Sequence, residues 1–151
     1  MFSSFSVYHI LVKEAKHCYA NPMREVVIAA IFNQEGLLVG QRCSDPFKGY
    51  WECPGGKVEA QESLIEALVR EIDEEGQVKV VSAQAMFDYV VSTPQGQLHL
   101  TWFNTIIDGS FKPIIYEKIL FIKKEELHLI DWIPHNLPYI EQIKAYFPIQ
   151  R

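Results

Sequence analysis

The sequence predicts a single α/β domain with a mixed β-sheet sandwiched between α-helices. Three observations predict it. At 151 residues the chain is long enough for one sizeable core and short for two. Its 48% hydrophobic and 13% aromatic content suits a packed globular interior. Its apolar runs also change period along the chain, reading as strands, then a helix, then strands, then a closing helix.

The elements follow in order. "REVVIAAIF", residues 24–32, is a continuous apolar run of the kind a buried strand gives. "NQEG" turns the chain at Gly36 into a hairpin partner, "LLVGQR". "CSDPFKGYWECPGGK", residues 43–57, reads as a Gly- and Pro-rich loop. A helix is expected from Ala60 to Glu75, with Ile65, Leu68, Val69 and Ile72 on its apolar stripe. "VKVVSAQAMFDYVV" and "QLHLTWFNTII" read as strands about the turn "STPQG". "IIYEKILFI" is a further strand and "KKEEL" a helical turn. "LPYIEQIKAYF" has Tyr139, Ile143 and Phe147 at helical spacing.

Residues 1–22 differ in character, with a break at Asn21-Pro22, so the domain is expected over 23–151. The leading segment reads as an N-terminal extension or a mis-assigned start, in which "VYHILV" could add an edge strand. It has no basic region before its apolar stretch and no clear small-residue cleavage site, so no signal peptide is expected. No run reaches the roughly 20 apolar residues of a membrane span. The net charge of −5 argues against nucleic acid as partner. Three cysteines, Cys18, Cys43 and Cys53, without CxxC spacing read as a reduced cytoplasmic chain with no zinc site. The five histidines form no ligand pattern. Oligomeric state is not legible.

One stretch resists a purely structural reading. "REIDEEGQ" places Glu71, Asp73, Glu74 and Glu75 at the end of the helix. Acids are unfavourable there, because the helix dipole already puts negative charge at that end. Like charges three and four apart repel as well. A solvated acidic face is the ordinary fate of such a run. A divalent cation would instead turn the repulsion into a binding site, since these carboxylates converge and hard cations take oxygen ligands. "PGGKV" just before the helix is not a phosphate-binding P-loop, for Trp51 and Val58 stand where Gly and Ser/Thr are needed. Gly55 and Gly56 there allow the backbone to approach a ligand and expose a carbonyl.

Taken together, "GKVEAQESLIEALVREIDEEGQV" closely resembles the Nudix box, G-x5-E-x7-R-E-U-x-E-E-x-G-U with U aliphatic. Gly56, Glu62, Arg70, Glu71, Ile72, Glu74, Glu75 and Val78 fall in register. Gln77 departs from the pattern where a glycine belongs, and Gly76 is expected to end the helix one residue earlier. The resemblance implies the Nudix fold and an Mg2+-dependent hydrolase, with Mn2+ as a substitute. It implies Glu74 and Glu75 as metal ligands helped by the Gly55 carbonyl, and Glu71 as a further ligand or the base orienting water. Glu62 and Arg70 would form a supporting ion pair. Lys57 and Arg42 are candidates for phosphate contacts and leaving-group charge, Arg42 being equally readable as a surface arginine. The family often adds a carboxylate from outside the box, and Glu117, an acid within an apolar strand, is the expected one, unless it simply faces solvent.

"YWECPGGKVEAQES" and "IPHNLPYI" resemble the MutT branch, which cleans the nucleotide pool. There an Asn in a similar P-x-N-x-P setting reads oxidised guanine. Asn136 would accept from the N7–H of 8-oxoguanine while donating to O6. Asn136 could equally cap the helix that follows. Trp51, Trp102, Phe103 and Tyr89 are a pool of stacking partners or core residues. The implied reaction is hydrolysis of 8-oxo-dGTP to monophosphate and pyrophosphate. Another nucleoside triphosphate, a nucleoside diphosphate derivative, or a non-catalytic Nudix binding module are the alternatives.

Overall fold

The computed structural model describes residues 23–149, so the expectations for residues 1–22 and Cys18 lie outside the described residues. The long apolar run does form a strand, β1 (Arg24–Ala30), which breaks at Ile31 before the short β2 (Phe32–Asn33). β3 (Gly36–Arg42) returns as its hairpin partner. The segment expected to be loop carries two further short strands, β4 (Trp51–Glu52) and β5 (Gly55–Lys57). Helix α1 (Leu64–Gly76) follows, then the long hairpin of β6 (Lys79–Thr93) and β7 (Gly96–Asp108), and β8 (Tyr116–Ile122).

The strands make two four-stranded sheets rather than one. The first runs β5-β1-β7-β6 and is mixed: β1 and β7 are parallel, from Arg24–Leu98 to Ala30–Asn104, and the other pairs are antiparallel. In the second, β3 is central, pairing with β8 on one side and with β2 and β4. β1 is buried on both faces, which is why its sequence is apolar without alternation. Val27, Ala29 and Ile31 pack with Leu68 and Ile72 of α1, whereas Ile28 and Ala30 pack with Trp51, Trp102 and Ile143 on the other side.

Helix α1 starts four residues later than the periodicity suggests. Ser63 caps it, its hydroxyl accepting from the Glu66 N–H at 3.0 Å. The buried arc is Ala67, Leu68, Ile72 and Glu75, while Ile65 and Val69 are exposed. The apolar stripe is thus rotated toward the acids. At the far end Gly76 is helical, and Gln77 takes the left-handed conformation at φ 51°. The expectation for Gly76 is corrected for a packing reason: a Cβ there would overlap the ring of Phe111.

From its second lysine, "KKEEL" lies in a 3-10 segment, Lys124–Leu129, with Lys123 just before it. The closing helix is also shorter than expected. A 3-10 turn at Leu137–Tyr139 contains Pro138, one α turn (α2, Ile140–Ile143) follows, and a second 3-10 turn spans Lys144–Tyr146. Pro138 is tolerated in this first turn, and one α turn suffices to bury Ile140 and Ile143.

Candidate active site

Helix α1 packs against β1 and β5, which brings the acidic turn beside the two glycines. Gly56 has no side chain because the Glu71 carboxylate fills that space, and Gly55 lies too close to the Val27 carbonyl for any Cβ. The close approach that these glycines permit is therefore met by the protein itself. The Gly55 N–H donates to Glu75 Oε2 at 3.1 Å.

Arg70 organises the cluster. Its Nε and Nη2 donate to the two Glu62 oxygens at 2.7 and 3.0 Å, and Nη1 donates to Glu71 at 2.8 Å and Glu74 at 3.2 Å. Nη2 also donates to the Lys57 carbonyl at 3.0 Å, tying the helix to β5. The expected Glu62–Arg70 pair is present, and it holds the Glu62 carboxyl below its ordinary value, helped by the Glu59 N–H. The Glu62 carboxylate in turn steadies the connection into α1 by accepting from that N–H at 2.9 Å.

Glu75 differs from its neighbours. It is 8% exposed, and its carboxylate accepts one hydrogen bond among the described residues, from the Gly55 N–H. Burial first, then the charge of Glu71, pushes its carboxyl up to about 9, with Glu52 and Glu74 adding to the effect. Glu71 is also raised by burial, against the lowering contact with Arg70. A buried acid facing three others is the local condition a divalent cation relieves. The donor set, carboxylates with a neighbouring main-chain carbonyl, therefore suits a hard ion. As disposed, no three acid, histidine or cysteine side chains among the described residues form a group ready to hold an ion. Arg70 holds Glu71 and Glu74 instead.

From Glu75 a cavity of about 290 Å3 extends to Asn136. Val26, Ile28, Leu98 and Leu100, from β1 and β7, give it apolar lining. Arg42, Glu52, Lys57 and His135 bring polar groups to it. A larger cavity of about 680 Å3, lined by Asn33, Lys123 and Phe147 among others, has none of the box carboxylates in its wall, so chemistry rather than size identifies the site.

Asn136 is 1% exposed. Its side chain does not cap the following turn, so that reading is corrected. Its Nδ2 donates instead to the Tyr89 hydroxyl at 3.3 Å, which also accepts from Trp102 Nε1 at 2.9 Å. Tyr89 stacks on Tyr139, with ring centroids 3.4 Å apart. Trp51 and Phe103, like Trp102, are core residues.

Arg42 is not a free surface arginine. Nη1 pairs with Glu52 at 3.1 Å and Nε donates to the Pro46 carbonyl at 2.8 Å. Lys57 has an exposed side chain at the cavity's edge. Glu117 is exposed, at the bulge where β8 slips against Gln41 and Arg42, and it neither lines the cavity nor figures among the charges acting on Glu75. The carboxylate from outside the box that does both is Glu52. The argument applied to Glu117, an acid in apolar surroundings, also fits Glu52 between Trp51 and Cys53. A two-residue strand is too short to show it by periodicity.

The sequence pattern described as the NUDIX domain matches residues 22–147, most of the chain. The chain belongs to the Nudix family. CTP pyrophosphohydrolase of Escherichia coli is 29% identical over 122 residues, covering 79% of this chain and 90% of that protein. A Mycobacterium tuberculosis protein, provisionally named 8-oxo-dGTP diphosphatase 2, is 32% identical over 122 residues, covering 78% and 86%. Among solved structures, one from a study of MutT of Aliivibrio salmonicida and Vibrio cholerae superposes with a TM-score of 0.72 at 30% identity, covering 83% of this chain and 99% of that one. The fold is the Nudix fold, and the chain is a Nudix hydrolase of pyrophosphohydrolase type, resembling the MutT enzymes. Nudix hydrolases act on small nucleotide substrates and generally use divalent metal ions, usually Mg2+. No helix among the described residues is long and apolar enough to cross a membrane.

Proposed function

We propose that this Nudix hydrolase is an Mg2+-dependent nucleoside triphosphate pyrophosphohydrolase that converts 8-oxo-dGTP to its monophosphate and pyrophosphate, sanitising the nucleotide pool of the cytoplasm. The observation that supports the reading is Asn136, buried in the wall of the same cavity that Glu75 of the acid cluster lines. Its Nδ2 is spent in part on Tyr89, which fixes the amide and leaves Oδ1 as an acceptor without a partner among the described residues. That oxygen suits the N7–H of 8-oxoguanine, where guanine has an acceptor instead. A polar site of this kind rejects the mismatched base strongly.

Glu71, Glu74, Glu75 and the Gly55 carbonyl would hold Mg2+, or Mn2+ in its place. When bound, the ion supplies positive charge to the phosphate oxygens. Lys57 at the cavity's edge adds cationic charge toward the leaving pyrophosphate, whereas Arg42 is spent on Glu52 and the Pro46 carbonyl and serves to position the nucleotide site. Glu71, whose carboxyl burial pushes upward, orients the attacking water or completes the ligand set.

A second reading draws on the Escherichia coli relative named for CTP. The same Asn136 acceptor suits the exocyclic amino group of cytosine. Purified protein with Mg2+, offered 8-oxo-dGTP, CTP and each ordinary dNTP, separates the two. Selective pyrophosphate release from 8-oxo-dGTP, abolished in Glu74→Gln, is the expected result. Preference for CTP keeps the chemistry and replaces the base assignment. Silence across the panel defeats both readings.

A further inference from the structure

One wall of the cavity can be ordered residue by residue. The Gly55 N–H holds Glu75, and Glu75 feels the charge of Glu52. Glu52 Oε1 accepts from Arg42 Nη1 at 3.1 Å. Arg42 shares the cavity wall with His135, whose imidazole is held below its ordinary value first by burial and then by the arginine's charge. Asn136 is the next residue. From the acid cluster to the base-reading amide, Glu52 and Arg42 therefore occupy the middle.

A nucleotide has the same order of parts: phosphates, sugar, base. With the phosphates at Glu75 and the base at Asn136, the sugar falls beside Glu52. This carboxylate is built to present one oxygen. Oε1 takes both the Arg42 guanidinium and, at 3.5 Å, the Tyr116 hydroxyl. Arg42 is itself locked by the Pro46 carbonyl at 2.8 Å. Oε2 has no hydrogen-bond partner among the described residues, although the side chain is only 16% exposed. Oε2 is not sealed in the interior, so it is open to accept from a group that enters the cavity.

We propose that Glu52 is a specificity-determining residue that reads the sugar, its Oε2 accepting a hydrogen bond from the 3′-hydroxyl of the bound nucleotide. In the deoxynucleotide proposed as substrate this is the one free sugar hydroxyl. Arg42 and Tyr116 act as positioning residues that aim the carboxylate. The inference rests on the nucleotide reading above.

The test compares dNTP with 2′,3′-dideoxy-NTP, carrying whichever base the wild-type protein turns over, in wild type, Glu52→Gln and Glu52→Ala. In the wild type kcat/KM falls about tenfold or more when the 3′-hydroxyl is removed, as for other hydrogen bonds to a charged group. In Glu52→Ala that ratio shrinks to within about twofold, and Glu52→Gln lies between them. Each variant is compared with itself, so a general loss of activity cancels. Should Glu52→Ala fail to fold, the near-isosteric Glu52→Gln decides alone, and its ratio must fall at least about threefold below that of the wild type. Turnover with equal rates on both sugars, or an unchanged ratio in the variants, overturns the Glu52 assignment and leaves the proposed function standing. No turnover of any nucleotide overturns both.

Discussion

The ring of Phe111 lies where a side chain on Gly76 would have to be. Gly76 is helical, so replacing it by alanine should by propensity alone add up to about 1 kcal/mol. Phe111 is 5% exposed and packs within the core beneath α1, so it has little room to yield. Overpacking should win, and Gly76→Ala is expected to destabilise the protein by about 1–3 kcal/mol. The urea midpoint, at unchanged m-value, measures this.

The neighbouring position should respond with the opposite sign. Gln77 sits at φ 51° and ψ 47°, where a Cβ is strained. Its backbone N–H caps the helix by donating to the Asp73 carbonyl at 2.9 Å, a bond that glycine retains. Gln77→Gly should therefore stabilise by about 0.5–1 kcal/mol after allowing for the looser unfolded chain. A lower midpoint for Gln77→Gly would refute this account of the helix end.

Under the proposed metal assignment, Glu75 would link metal to pH. Its folded-state carboxyl, at about 9, lies above the 4.5 of an ordinary glutamate. The metal-free protein thus keeps a proton that the unfolded chain has released, and stability falls as pH rises through this window. Mg2+ should raise Tm more at pH 8 than at pH 6, while Glu75→Gln should flatten most of the metal-free slope. A metal-free Tm that does not change between pH 5 and pH 9 would count against it.

His99 gives a second, weaker dependence. Its Nδ1 meets Glu25 and its Nε2 meets Asp88, each at 2.7 Å, bridging β1, β7 and β6. The Asp88 contact foremost, and Glu25 with it, raises the imidazole above its ordinary value against the cost of burial. Its contribution is fully present below the ordinary histidine value of 6.5 and is lost as pH rises through the raised one. Both carboxylates are well exposed, so screening should hold the effect below about 1 kcal/mol. Salt should diminish it, and His99→Asn should remove it, with the Glu75 slope intact. Thermal melts of the two variants across pH, at low and high salt, separate the two groups.

The elements that local pattern specifies were legible. The apolar run of β1 and the amphipathic α1 need only neighbouring residues to be recognised. The parallel pairing of β1 with β7 was not, because it joins segments some seventy residues apart. Nor was the exposure of Ile65 and Val69, which depends on where β1 and β5 meet the helix. The box residues Arg70, Glu71, Glu74 and Glu75 gather because helical spacing nearly brings them together, whereas Glu62 precedes the helix and is held by its ion pair with Arg70. The surroundings of the acids outside the box were not legible, for a topological reason. A bulge leaves Glu117 at the surface, while pairing across β3 carries Glu52 inward.

The position of Arg70 has a consequence for which ions the cluster admits. The guanidinium is a tethered occupant, already delivering one positive charge to Glu71 and Glu74. A monovalent cation entering the cradle would exchange one unit charge for another and forfeit well-aimed hydrogen bonds. A divalent ion brings charge that the arginine cannot match, and it reaches Glu75 as well. If the cluster holds the proposed ion, the arginine would favour a divalent over a monovalent cation, and Arg70→Gln is then expected to loosen the discrimination between potassium and magnesium.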